Sequence, residues 1–291
     1  MSKIKTGMQI LNKQGLEGIF STIRGAHLPR ARKRFRALFT EHFDWAINLK
    51  KAVKIDGCNF SLDSPLIKAQ HKLELMLGEY EFPEREALKR FLNPALPVVE
   101  MGGAIGIVSC LTNKRLNDPS RHVVIEANPL LLPLLEENRR RNNCQFQIVN
   151  AAVGYGSPTV DFTVFPNHYL ASSAVKPDHS HLTPERRAII KADPNTQLFQ
   201  TVSAKAVSLK SVLDEHDFPR CTLICDIEGT EKDLVDNEVE VLRDRVELII
   251  VEIHNNWLGR KVVQEVIMRI KTFGFDLIHE ESQTYTFRRK P

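Results

Sequence analysis

The chain has 291 residues, 42% of them hydrophobic and 26% charged, with a net charge of +4. These are ordinary values for a globular protein with room for one large domain and an appendage. No apolar run approaches the roughly 18 residues of a membrane-spanning helix, and the polar N-terminus lacks the apolar core of a signal peptide. The five cysteines (Cys58, Cys110, Cys144, Cys221, Cys225) are odd in number and contain no C-x-x-C pair. That usage argues against a disulfide framework or a zinc site, and for buried thiols in a cytoplasmic protein. The charge is uneven. Residues 1–50 hold ten Lys/Arg against three Asp/Glu, or +7, which leaves −3 for the remainder. The core therefore lacks the basic bias of a nucleic-acid enzyme.

Residues 1–92 read as a mainly helical N-terminal extension. Ala26 to Ala52 are expected to be mostly helical, with a basic cluster (Arg30, Arg32, Lys33, Arg34, Arg36) ahead of apolar residues such as Phe39, Phe43 and Trp45. An accessory helix with a solvated basic face accounts for this; contact with an anionic membrane surface, an acidic substrate or a partner are the sharper alternatives. Val53 to Leu62 suggest a hairpin around Asp56-Gly57, and 64–76 and 83–91 suggest helices.

From 93 to 291 strands and helices alternate. Strands are expected at 97–101, 121–126, 145–151, 221–226 and 246–253, with helices near 105–116, 129–141, 208–216, 231–242 and 258–272. This rhythm predicts a mostly parallel sheet with helices on both faces. The end differs: Phe275–His279, a polar turn and Gln283–Phe287 read as an antiparallel hairpin, giving seven strands in all. Between the third and fourth strands, 155–205 form a proline-containing insertion with His168, His179 and His181, expected to act as a lid over the carboxyl end of the sheet.

The first core strand runs into Glu100-Met-Gly-Gly-Ala-Ile-Gly106, and the second ends in Glu126-Ala-Asn-Pro129. Two acidic strand ends flanking a glycine turn decide the ligand class. A phosphate on the turn would be repelled by Glu100, whereas a cation rich in hydroxyls would be attracted. S-adenosylmethionine (SAM) carries an ammonium, a sulfonium and two ribose hydroxyls but no phosphate. Gly102 and Gly106 let the backbone turn and approach the ligand, and Glu126 is placed to hold ribose hydroxyls. Asn128 is expected to cap the next helix, with Pro129 at its first position. Thr230 is expected to cap the helix after the fourth strand.

Three segments together resemble the FkbM family of SAM-dependent methyltransferases: Glu100–Gly106, Glu126–Pro129 and Asp226-Ile-Glu-Gly-Thr-Glu231. The resemblance extends over about residues 53–288. The sequence departs from the family pattern at Glu100 (usually Asp), Gly103-Ala104 (usually Ala-Asn) and Ala127 (usually Pro). The resemblance implies a Rossmann-like class I methyltransferase fold, with a seven-stranded, mostly parallel sheet and a C-terminal antiparallel hairpin. It implies SAM contacts from Glu100, Gly102, Gly103, Gly106, Glu126, Ala127, Asn150, Ala151 and Asp226, with Asn150 near the adenine. The expected reaction is methyl transfer to a hydroxyl of a sugar, glycan or natural product. RNA methylation and a non-catalytic SAM-binding scaffold are the alternatives.

Asp226, Glu228 and His254 are the expected catalytic residues. Two acids at a strand's carboxyl end are costly unless used or paired, whereas Glu231 reads as a first-turn helix acid. Glu252 and His254 are two apart on the fifth strand and share a face. Asp226, Glu252 and His254 then form a candidate site for Mg²⁺ or Mn²⁺, with His254 as a metal-free general base in the alternative. The expected partner is a small-molecule or glycan acceptor, with self-association into a homo-oligomer left open.

Overall fold

A computed structural model describes residues 40, 44–164 and 200–291. The chain divides into two compact units, one ending at Phe82 and one running from Pro83 to Pro291. In the first unit, residues 44–49 are helical. They are followed by an antiparallel hairpin of β1 (Ala52–Ile55) and β2 (Cys58–Ser61). Asp56 and Gly57 both adopt positive φ, as a two-residue hairpin turn requires. Helix α1 (Ala69–Leu77) closes at Gly78, which is left-handed and returns its N–H to Leu75. The basic cluster at 30–36 lies outside the described residues.

Helix α2 (Phe82–Phe91) starts at the boundary, and the second unit then alternates: β3 (Val98–Met101), α3 (Ile107–Asn113), β4 (His122–Glu126), α4 (Leu132–Arg141) and β5 (Gln147–Asn150). After three short strands, β6 (Ala152–Val153), β7 (Thr159–Val164) and β8 (Gln200–Val207), come α5 (Leu209–Glu215), β9 (Cys221–Cys225), α6 (Glu231–Asn237), α7 (Val239–Arg245), β10 (Val246–Glu252), α8 (Asn255–Leu258), α9 (Arg260–Thr272), β11 (Phe275–Glu281) and β12 (Thr284–Arg289). β3, β4 and β9 are buried along their whole length, which is why they read as continuous apolar runs. Helix α9 buries Val263, Val266, Ile267 and Ile270, a single helical stripe.

The main sheet has the order β11-β12-β10-β9-β3-β4-β5. β3, β4, β5, β9 and β10 are mutually parallel, and β12 runs antiparallel between β10 and β11. This order, with one reversed strand second from the edge, is the Rossmann-like class I methyltransferase fold. The chain leaves β3 towards β4 and β5 on one side and later returns to β9 on the other. The topological switch point, where open α/β sheets bind ligands, therefore lies between β3 and β9.

Two elements depart from expectation. The 231–242 helix is broken at Glu238, whose buried carboxylate accepts from the Leu209 N–H (2.5 Å) and the Tyr155 hydroxyl (3.2 Å). The insertion is also not irregular at its described ends. β7 pairs antiparallel with β8 from Thr159↔Lys205 to Val164↔Gln200, and β6 pairs parallel with β8. Of the expected lid at 155–205, residues 165–199, with His168, His179 and His181, lie outside the described residues. All five cysteines are buried and unbridged. Among the described residues, no helix is long and apolar enough to cross a membrane.

Candidate functional site

The glycine turn is fixed from both sides. Gly102 and Gly103 donate to the Ile125 carbonyl on β4, and Asp226 donates its N–H to the Met101 carbonyl on β3. A side chain at 102 has no room. A Cβ there would lie 1.7 Å from the Asp226 carbonyl oxygen, and φ is +95°. At Gly106, φ is +83° and a Cβ would meet Leu135 at 2.7 Å. Ala104 also takes positive φ (43°), a conformation that Asn tolerates better than Ala. The FkbM pattern has Asn at this place. Here Ala104 is held by donating its N–H to Glu126 Oε2 at 2.6 Å.

An open cleft of about 580 Å³, its mouth included, lies beyond the carboxyl ends of β3, β4, β5 and β9. Gly102, Ala104, Glu126, Ala127 and Asn128 form one wall. Asp226, Ile227, Glu228 and Thr230 form another, and Ala151, Ala152, Val153, Leu131 and Phe162 make an apolar end. Glu126 is buried and also accepts the Asn128 N–H at 2.6 Å. Burial pushes its carboxyl up, against the pull of these two N–H donors, to about 7.

Not every expected ligand residue reaches this cleft. Glu100 is buried within β3. Its carboxylate accepts from the Ser109 hydroxyl (2.5 Å) and lies 3.2 Å from His122 Nε2. It is absent from the cleft wall because it sits one residue inside the strand end and faces α3 and β4. Asn150 is exposed and spends its amide on the Glu126 and Ala127 carbonyls. Gly103 and Gly106 shape the turn without lining the cleft. Asn128 closes an Asx turn onto the Leu130 N–H (3.1 Å), and α4 begins later, at Leu132.

Beside the cleft, the loop after β9 converges with the end of β10. Glu228 is left-handed (φ 50°) and Gly229 has φ 105°, a strained turn of the kind found at working sites. Thr230 occupies the N-cap position of α6 but makes no side-chain capping bond; its hydroxyl donates to the Ile227 carbonyl at 3.3 Å. Glu231 stands in the first turn of α6, as expected, and is fully buried. Its Oε1 lies 2.9 Å from His254 Nδ1 and accepts the Gly229 N–H. That contact fixes the ring, so Nε2 faces Glu228 at 3.3 Å and Asp226 and Glu252 at 3.7 Å each.

Burial alone would lower the His254 pKa. The surrounding carboxylates, Glu228 foremost, outweigh it and hold the imidazole well above its ordinary value. Burial likewise raises Asp226, with His254 opposing. It raises Glu252 to about 9, with Asp226 adding to the effect. Potential ligand atoms of Asp226, Glu228 and His254 all lie within 4.8 Å of one another. Glu252 stands at the edge of this group, bonded by Gln283 at 3.5 Å, so Glu228 takes the place that the sequence assigned to Glu252. Sequence reasoning missed Glu84. It lies on α2, is buried, accepts the Thr284 hydroxyl and is raised by burial with a contribution from Asp226. No local signal links it to residues some 200 positions away.

No family model and no curated protein matches the chain. Solved structures are similar at low identity. The ribosomal protein L11 methylase of Lactobacillus delbrueckii subsp. bulgaricus is 10% identical over 73% of this chain and 80% of its own, with a TM-score of 0.40. TYW2 of M. jannaschii, in complex with AdoMet, is 16% identical over 82% and 86%, TM-score 0.40. The precorrin-6y C5,15-methyltransferase of Geobacter metallireducens is 11% identical over 78% and 91%, TM-score 0.38. These likenesses are too distant to transfer an activity. The fold assignment rests on strand order, and the FkbM resemblance rests on its three motifs.

Proposed function

We propose that the chain is a SAM-dependent methyltransferase, and that its acceptor is a hydroxyl oxygen of a sugar, glycan or natural product. The observation that carries the reading is the cleft at the β3/β9 switch point, walled by the Glu126 carboxylate, the glycine turn and Asp226. Its donor set suits the group. Carboxylates repel a polyphosphate but accept hydroxyls and attract a sulfonium and an ammonium. The Ala/Val/Phe end suits a flat base.

SAM supplies an electrophilic methyl on an activated leaving group, so the protein's task is to bind, align and manage one proton. Glu126 would hold the ribose, using lone pairs left after its two backbone contacts. Gly102 lets the backbone approach. Asp226 and Glu228 face the cleft from the opposite wall, where an acceptor hydroxyl would lie. With its imidazole already protonated near neutrality, His254 is a poor metal-free base. The hydroxyl proton would pass instead to Asp226 or Glu228. Glu231 positions the ring.

Methyl-labelled SAM, offered with a panel of hydroxyl acceptors, tests the reading. Asp226→Asn is expected to lower kcat at least a hundredfold, much more than it weakens SAM binding. Near-parental kcat would remove Asp226 from the chemistry. The +7 charge of residues 1–50 favours RNA as a second acceptor class. In that case binding to RNA falls steeply with salt, and the label appears in RNA. SAM binding with no transfer to any acceptor would favour a scaffold.

A further inference from the structure

Beyond the ends of β9 and β10, one imidazole meets several carboxylates. Among the described residues, Asp226, Glu231, Glu252 and Glu84 pair with no lysine or arginine; they meet His254, Gln283, Thr284 and backbone N–H groups. Burying like charges together is expensive unless something neutralises them. Two atoms lack partners. Asp226 Oδ1 is shielded from solvent and accepts no hydrogen bond, and so is Glu231 Oε2. His254 is 7% exposed. With Nδ1 engaged by Glu231, its Nε2 is turned into the group, within 3.3–3.7 Å of three carboxylates.

We propose that Asp226, Glu228 and His254 bind a divalent cation, and that Glu231 positions His254 as its ligand. The ligand atoms span no more than 4.8 Å. Octahedral coordination at about 2.1 Å places neighbouring ligand atoms about 3 Å apart and opposed ones about 4.2 Å apart, so small side-chain movements close the set. A carboxylate behind a ligating histidine is the usual way in which the ring's orientation and tautomer are fixed. One imidazole with two carboxylates favours Mn²⁺ over the all-oxygen preference of Mg²⁺. An ion here meets the unbonded Asp226 oxygen. Asp226 and Glu228 line the cleft, so the remaining coordination positions open towards a bound hydroxyl, whose proton the ion would acidify. The cation site does not depend on methyl transfer.

The test is titration of the chelator-treated full chain with Mn²⁺ alone, without SAM, followed by electron paramagnetic resonance. One ion per chain is expected, with spin-echo nitrogen modulation from one coordinated imidazole. Asp226→Asn and Glu228→Gln should each weaken binding at least tenfold, Glu231→Gln several-fold, and Glu265→Gln, exposed on α9, not at all. Circular dichroism reports whether each variant is folded, and nitrogen modulation in the parent needs no variant. Absence of stoichiometric binding at millimolar Mn²⁺, bound Mn²⁺ without nitrogen modulation, or undiminished affinity in folded Asp226→Asn would each overturn the site.

Discussion

Glu126 links stability to ligand binding, and Glu126→Gln separates the two. In the folded chain the carboxyl is buried and its pKa is raised from 4.5 to about 7. The native state therefore holds this proton more tightly than the unfolded state does. The stabilisation is fully present below pH 4.5 and is lost as pH rises to about 7, a decline of about 3 kcal/mol in all. Glutamine is neutral in both states and has no such decline. Its cost is of another kind. The Ala104 and Asn128 N–H groups each donate to a separate carboxylate oxygen at 2.6 Å, and an amide offers one oxygen for the two. One buried donor then faces an NH₂ group, a loss of about 1–3 kcal/mol that does not vary with pH. Urea unfolding at pH 4.5 and pH 8, followed by far-ultraviolet circular dichroism, should show the variant losing ground at acid pH and recovering up to about 3 kcal/mol relative to the parent at pH 8. Parallel pH profiles for the two proteins would refute this account of the buried carboxyl. In the same variant SAM affinity should fall by about 1.5–3 kcal/mol through lost hydrogen bonds to a charged group.

The other expectations concern packing around the site. Gly102→Ala should destabilise the chain by at least about 2 kcal/mol, because the added Cβ meets the Asp226 carbonyl oxygen at 1.7 Å and the residue is left-handed; a parental urea midpoint would contradict it. Thr284→Val removes the hydroxyl that supports ionised Glu84. It should cost about 1–3 kcal/mol at pH 8 and less at pH 5, where the carboxyl holds its proton more often. Equal losses at both pH values in urea titrations would show that Glu84 stays neutral throughout.

Much of the fold was legible because buried parallel strands are continuous apolar runs with sharp ends. Val98–Met101, His122–Glu126 and Cys221–Cys225 fall within two residues of the strands expected at those places. The terminal hairpin was also readable, although its insertion of β12 between β10 and β11 is a pairing choice that periodicity does not encode. Side-chain direction was harder. Glu100 and Glu126 are both acids near strand ends, yet one residue of register turns Glu100 towards Ser109 and His122, away from the cleft. Asn150 donates its Nδ2 to two local carbonyls, contacts that no sequence pattern encodes. Glu231 is the first-turn helix acid that the sequence indicates, but its contact with His254 was not legible. Its burial depends on β10 delivering His254 from 23 residues away. Glu84 carries no local pattern at all. Its role appears only once α2 and β12 are brought together.

The account turns on what the cleft between β3 and β9 binds. The most direct measurement is isothermal titration of the full chain with S-adenosylhomocysteine and, separately, with NAD⁺. The acidic wall of Glu126, Asp226 and Glu228 predicts saturable binding of one S-adenosylhomocysteine per chain and no measurable binding of the pyrophosphate-bearing dinucleotide. Saturable binding of NAD⁺, or no heat with S-adenosylhomocysteine at millimolar ligand, would contradict it.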